Sequence, residues 1–598
     1  MRLILSIVSF VLAGILITLG IVLRSTTASP PTALEFEAET SGTAPITIID
    51  GATLNAIEGR QTITISDDGP IVAAYGRTAD VLAWVGDASY NTLRFEETED
   101  GERTLVAETQ RGSETEVPNP AGSDLWLDDF AAEDDLRLSV TLQPDMSFII
   151  ASDGAEPAPS NVVLEWPVAD TGAPAIAPLF IGGAALLIAG LVLLFMAVYG
   201  MRGKHGPRRK MPKVPRKRAI KTLRGKPRSA SKRIGAGVGA LLVAAALTTV
   251  PIGATGARAA ETPTPTPTPP ANATPVPALT ERQIDRVVDR VLATMRTADA
   301  NRDAALAETR MTGPALELKL ADYALQGADP ALATSSPVIP EDAVVAVRLP
   351  QQVPLDVESW PRTVFVVVAS PEALDEGGAS TPDPSATEQP EEAAPPPPVA
   401  MVLTQDEPRA NYRVSMLVAL QEDVPEVAAP TVGAARLADE SPLLSMAPAD
   451  VTPAYVDILV NGEQSASFER FDLADDKFLA AWGLEAQQAL IGGVPAPGAM
   501  SISTTEGTGP LLALATVEAG AIVTGTVRQV VEVYPTEEGA TVSSSGAVRT
   551  LAGVETSGKG FTATYAGQLL YIVPPVDSSG PVVVLGYAQG LVAAGERP

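Results

Sequence analysis

The chain has 598 residues, with 42 Lys and Arg against 72 Asp and Glu, a formal net charge of −30, one histidine and no cysteine. That length exceeds what a single core organises, so two or three domains are expected. Without cysteine there is no disulfide framework, thiolate nucleophile or Cys metal site, and with His205 as the single histidine every other region lacks the commonest general base and transition-metal ligand.

Hydrophobic residues make up 45% of the chain and the mean hydropathy is +0.16, which fits a few membrane spans in an otherwise soluble protein. Residues 3–23 are free of charge between Arg2 and Arg24. At the helical rise they reach about 30 Å, enough for a first transmembrane helix. A secretory signal has a shorter apolar region, so an uncleaved anchor is expected. Residues 25–176 are acidic and read as a small all-β extracytoplasmic module. Alternation is clear in 61–66 (QTITIS) and 136–142 (LRLSVTL), and Asp68-Gly69-Pro70, Asp100-Gly101 and Asp153-Gly154 mark turns. Trp84, Trp126 and Trp166 read as core or interface anchors. Asp124, Asp128, Asp129, Glu133, Asp134 and Asp135 cluster without calcium-loop spacing and read as a solvated acidic face.

A second transmembrane helix is expected over 179–201 and a third over 234–254. Between them, 202–233 carries fifteen Lys and Arg and no acid, which leaves 27 of the 42 cations against all 72 carboxylates elsewhere. Short basic loops stay in the cytoplasm. The expected topology is therefore a multi-pass plasma-membrane protein with its N-terminus and 202–233 inside. Residues 25–176 and everything after about 255 lie outside. Ala257-Arg258-Ala259 has the layout of a cleavage site that would release residues 260–598, but a plain anchor is the preferred reading. The basic loop is first of all topogenic. Its second reading is contact with anionic lipid head groups through Arg208, Arg209, Lys210, Lys213, Arg216, Lys217 and Arg218. Nucleic acid is disfavoured as a partner, because no aromatic residue interleaves with the cations to stack a base.

Residues 261–278 form a Thr/Pro-rich linker, an extended spacer. A helix then opens at Thr280, where Thr280 and Gln283 match a capping box and Ile284, Val287, Val288, Val291, Leu292 and Met295 share one face. A second helix begins at Thr312-Gly313-Pro314. Short β-branched strands come next, over 343–349, 363–369, 400–403 and 412–420, interrupted by 371–398, whose Pro- and acid-rich composition reads as a disordered insertion. The order repeats: helices from Thr452-Pro453 and over 472–482, then strands around Ile502 and over 511–517, 522–533, 548–554, 561–573 and 582–592. This predicts a tandem α+β ectodomain, with one half over 279–438 and the other over 439–598.

In element order this region is similar to the nuclear-transport-factor-like or cystatin-like cone, in which helices pack on a curved antiparallel sheet. With its tether and anchors the chain resembles a group of uncharacterised actinobacterial membrane-anchored cell-envelope proteins. The resemblance implies a curved sheet with an apolar cavity and carries no activity over.

No nucleophile elbow, Walker sequence or zinc motif occurs, and Lys319, Lys477 and Lys559, the lysines after the linker, stand outside any S-x-x-K arrangement. No cofactor is expected. The reading is a non-enzymatic envelope membrane protein whose outer domains bind a protein, an envelope polymer or a small apolar ligand. The alternative is an envelope enzyme, or enzyme subunit, acting on glycans through carboxylates.

Overall fold

A computed structural model describes residues 2–26, 33–40, 42–97, 103–167, 176–202, 275–332, 335–354, 360–376 and 395–598. The chain divides into two compact units, 1–30 with 169–271 and 31–168 with 272–598. The first opens with helix α1 (Arg2–Thr26).

The second unit starts with a module built from β1 (Ala33–Glu39), β2 (Ile46–Ile49), α2 (Gly51–Leu54), β3 (Gln61–Arg77), α3 (Thr78–Val85), β4 (Tyr90–Glu97), β5 (Arg103–Gln110), β6 (Asp128–Val140), β7 (Met146–Ala151) and β8 (Asn161–Pro167). Its eight strands run β1-β8-β3-β7-β2-β4-β5, with β6 also on β3. The alternation read at 61–66 is the start of β3, which turns Ile63 and Ile65 into a core with Leu136, Leu164 and Trp166. Phe36 on β1 meets Phe95 on β4 edge to face, their ring centroids 4.8 Å apart, so the sheet rolls towards closure. The module is β-rich rather than all-β, since α2 and α3 sit between its strands.

Helix α4 (Ile176–Arg202) returns to the first unit and packs antiparallel on α1. Gly183 lets Ile17 approach closely, and the Ser6 hydroxyl donates to the Gly190 carbonyl at 2.9 Å. Three spanning helices are not supported. Among the described residues one helix, Leu179–Tyr199, is long and apolar enough to cross a membrane. The apolar part of α1 is the shorter stretch Leu3–Leu19, and 234–254 lies outside the described residues, as do the basic loop and most of the linker.

The remainder of the second unit contains two helix-then-strand halves. The first holds β9 (Val276–Pro277), α5 (Glu281–Asn301), α6 (Ala304–Glu308), α7 (Gly313–Ala328), β10 (Val344–Pro350), β11 (Gln352–Val353), β12 (Arg362–Ala369), α8 (Pro371–Glu376), β13 (Val399–Gln405) and β14 (Arg413–Leu420). The second holds α9 (Pro448–Asn461), β15 (Phe471–Asp472), α10 (Lys477–Trp482), α11 (Leu484–Gly492), β16 (Gly498–Glu506), β17 (Ala513–Ala515), β18 (Ala521–Pro535), β19 (Val542–Ser543), α12 (Gly546–Ala552), β20 (Thr556–Ser557), β21 (Phe561–Val573) and β22 (Val582–Glu596). Helix α5 starts at the expected capping box, with Thr280 N donating to Gln283 Oε1 at 2.9 Å and Gln283 N to Thr280 Oγ1 at 3.4 Å. Residues 548–554, read as a strand, are mostly helix α12. Of the insertion, 371–376 form α8 and 377–394 lie outside the described residues.

The halves are not two separate cones. Their four-stranded meanders join edge to edge in one ten-stranded sheet, β10-β12-β13-β14-β22-β21-β18-β16, with β15 on β22 and β17 on β18. Two residue pairs make the seam, Ala419↔Tyr587 and Leu420↔Gly586. A Cβ at Gly586 would lie 2.6 Å from the Ala419 carbonyl oxygen, so the strands meet this closely because residue 586 has no side chain. One face of β12–β14 packs under α5 and α7 through Val364, Val366, Met401 and Leu403. The other face, Phe365, Val367, Val402 and Met416, shares a core with Ile522, Leu570 and Leu585 of the second half. Both faces of β12 are therefore buried, which explains its unbroken apolar run.

The β-rich module docks on the first half through arginines. On α5, Gln283, Arg286 and Arg290 stand at helical spacing and donate to the carbonyls of Leu125, Trp126, Leu127 and Gly122, at 2.5–3.2 Å. Asp124 is fully buried and accepts from Arg310, from Arg290 at 3.4 Å and from Tyr412 N at 3.0 Å. Arg362 pairs with buried Asp80 at 2.7 Å, and Arg409 donates to the Trp84 and Val85 carbonyls. Removing one partner of a buried ion pair leaves an uncompensated charge. Asp124→Ala should therefore destabilise the protein by about 3–5 kcal/mol in chemical denaturation. A loss under about 1 kcal/mol, the size of an exposed pair, would contradict this role for Asp124.

Candidate functional site

Helices α5 and α7 leave a cavity of about 170 Å³ between them and residues 336–339. Helical spacing builds its lining. On α5 it brings Leu292, Met295, Arg296 and Asp299 to one face, and on α7 it does the same for Lys319, Asp322, Tyr323 and Gln326. Asp322 fixes the covering segment by accepting from Ser335 N at 2.8 Å, Ser336 N at 2.9 Å and the Ser336 hydroxyl at 2.6 Å. Lys319, 7% exposed, pairs with Asp299 at 3.1 Å, and the Tyr323 hydroxyl donates to the same carboxylate at 2.6 Å. Burial, and next the hydrogen bond to Asp299, push the Tyr323 hydroxyl well above its ordinary range. It stays a neutral donor at any physiological pH.

Three further hollows follow, each sharing a lining residue with the one before. The next, about 290 Å³, shares Pro337 and is lined by Ser335, Gln421, Lys477, Tyr587 and Gln589. The third, about 330 Å³, shares Gln421 and is acidic, with Glu422, Asp472, Asp475 and Asp476. The last, about 480 Å³, shares Asp472 and adds Arg470, Ser445 and Ser578. Together they form a track from α5 to β15, of mixed lining in its first two hollows and mostly polar in its last two. Asp476 also caps α10, accepting from Phe478 N at 2.9 Å and Leu479 N at 3.0 Å, and takes the Tyr455 hydroxyl at 2.5 Å.

The arrangement offers hydrogen bonding and charge in place of a nucleophile beside a base. Among the described residues no three His, Asp or Glu side chains gather as metal ligands. Of the residues singled out in the sequence, Lys319 and Lys477 line the track and Lys559 does not. Asp299, Tyr323, Gln421 and Tyr587 carried no local signal. Asp124, read as part of a solvated face, is instead a buried anchor of the docked module. The lipid-contact candidates Arg208, Arg209, Lys210, Lys213, Arg216, Lys217 and Arg218 lie outside the described residues.

A family model described as a domain of unknown function, DUF8094, matches residues 275–596, more than half of the chain. The chain belongs to the DUF8094 family. The match runs from the entry of β9 to the last residue of β22. The DUF8094 domain is thus the whole two-half sheet with its track, and the β-rich module lies outside it. No curated protein matches the chain.

Burial raises the Asp476 carboxyl above 3.8, against the lowering effect of its hydrogen bonds from Tyr455, Leu479 and Phe478. A carboxyl raised in the folded state favours folding fully below its unfolded value, and that contribution is lost as pH rises through the folded value. Asp476→Asn, neutral and still able to cap α10, should therefore gain Tm relative to the parent as pH rises from about 4 to 7. A pH-independent difference in thermal unfolding would contradict this.

Proposed function

We propose that the chain is a membrane-tethered, non-enzymatic binding protein of the cell envelope, whose DUF8094 domain reads an extended polymer laid along the track. The observation carrying this reading is the succession of four hollows, each sharing a lining residue with the next. The cavity at one end, about 170 Å³, is near half the lower limit of roughly 300 Å³ for a small-molecule pocket. It suits one substituent or chain end of a larger partner, and buried Lys319 offers it an ammonium donor. The interior under the sheet is filled by side chains such as Tyr455, Phe478 and Tyr571, which favours an envelope polymer or protein over a small apolar ligand.

The tether is the apolar helix α4, and the basic stretch 202–233 that follows it meets anionic head groups at the membrane surface. The acidic third hollow supports the competing reading, in which carboxylates act on a glycan. The two readings separate in one assay. Detergent-solubilised protein is co-sedimented with insoluble cell-wall polymer, and the pellet is followed for release of soluble sugar. Binding without turnover is expected. Lys319→Met should weaken it roughly tenfold, about 1.4 kcal/mol. Sugar release abolished by Asp472→Asn would replace binding with enzymatic action, and no sedimentation of the parent protein would exclude a cell-wall polymer.

A further inference from the structure

We infer that the DUF8094 domain is a receptor for the folded β-rich module, and that their interface holds without the covalent connection between them. This goes beyond the polymer-binding function and is independent of it. The chain leaves the module at Pro167 and re-enters the domain at Val276. Whatever effective concentration that connection supplies is lost when it is cut, so after cleavage the contacts themselves must hold the two together.

The contacts have the composition of a stable protein–protein interface, with Trp and Arg at its centre and paired charges desolvated there. Trp84 and Trp126 are almost fully buried with ring centroids 5.3 Å apart, and Trp360 of the domain packs on their cluster. The Arg362 guanidinium lies 3.7 Å from the Trp360 ring centroid while pairing with Asp80. On α5, Gln283, Arg286 and Arg290 grip main-chain carbonyls of the 122–127 loop, recognising the path of that loop as well as its side chains. Arg409 repeats this at the end of α3, donating to Trp84 O at 2.8 Å and Val85 O at 2.7 Å, and pairs with Glu114 at 2.7 Å. Asp124 closes the centre between Arg290 and Arg310. A cut anywhere between the module and the domain, including one at Ala257-Arg258-Ala259, then leaves the DUF8094 domain attached.

The test uses the full chain in detergent, with a site-specific protease sequence replacing residues 262–268. After complete cleavage the protein is loaded on size exclusion at about 1 μM, where complexes weaker than ~10 μM separate. The C-terminal fragment contains neither α1 nor α4, so a shared micelle cannot hold it. Co-elution of both fragments is expected. Elution of the two as separate peaks would overturn the inference. Arg409→Ala, with folding of the uncut variant verified by circular dichroism, should weaken association of the cleaved pieces at least tenfold. Asp124→Arg should separate them. If it fails to fold, Arg409→Ala alone decides, and association unchanged in that variant would overturn the interface assigned here.

Discussion

The Asp124 carboxylate is the contact on which the second unit depends. It is fully removed from solvent, and such a charge is tolerated only when cations and hydrogen-bond donors surround it. Arg310 comes from the turn after α6, Arg290 from α5, and the amide of Tyr412 from the start of β14. One acidic side chain thus fixes three elements of the DUF8094 domain against a loop from a different part of the chain. Arg310 also donates to the Tyr412 carbonyl, so both sides of the carboxylate are held by the same strand entry.

The second constraint is the seam. Two halves with the same order of elements could each have closed a small sheet around its own core. Each does so under its own helices, but β14 and β22 also meet over two residue pairs, and residues of both halves share a further core on the other face of the sheet. Two of the hollows sit at this join, one lined by Ser335, Gln421, Lys477 and Tyr587 and the other by Gln421, Glu422, Asp476 and Val584, while the cavity between α5 and α7 lies within the first half.

Legibility in the sequence depended on physical range. The start and face of α5 were readable because a capping box and a 3.6-residue apolar period are local. The strand over 561–573 was readable because β-branched and aromatic residues crowd both its ends, Phe561 to Tyr565 and Tyr571 to Val573. Residues 548–554 misled because their valines suit a strand by composition, although Val548, Leu551 and Val554, three apart, keep the helical spacing. The fused sheet left no mark, since Leu420 and Gly586 are far apart in sequence and glycine signals many things. The acidic cluster was resolved by partners alone: Asp134 and Asp135 face solvent, and Asp124 a few residues earlier does not. In the cavity, Lys319 stood out by rarity, but its pairing with Asp299 depends on how α5 and α7 pack.

The last strand of the chain also closes the middle of the sheet. β22 pairs with β21 along nearly its whole length, with β14 at the seam and with β15 in parallel. It meets only the last two residues of β14, and at Gly586 it pairs with Leu420 on one side and Leu570 on the other. One position thus belongs to both sides of the join, and a side chain placed there would disturb the two halves together.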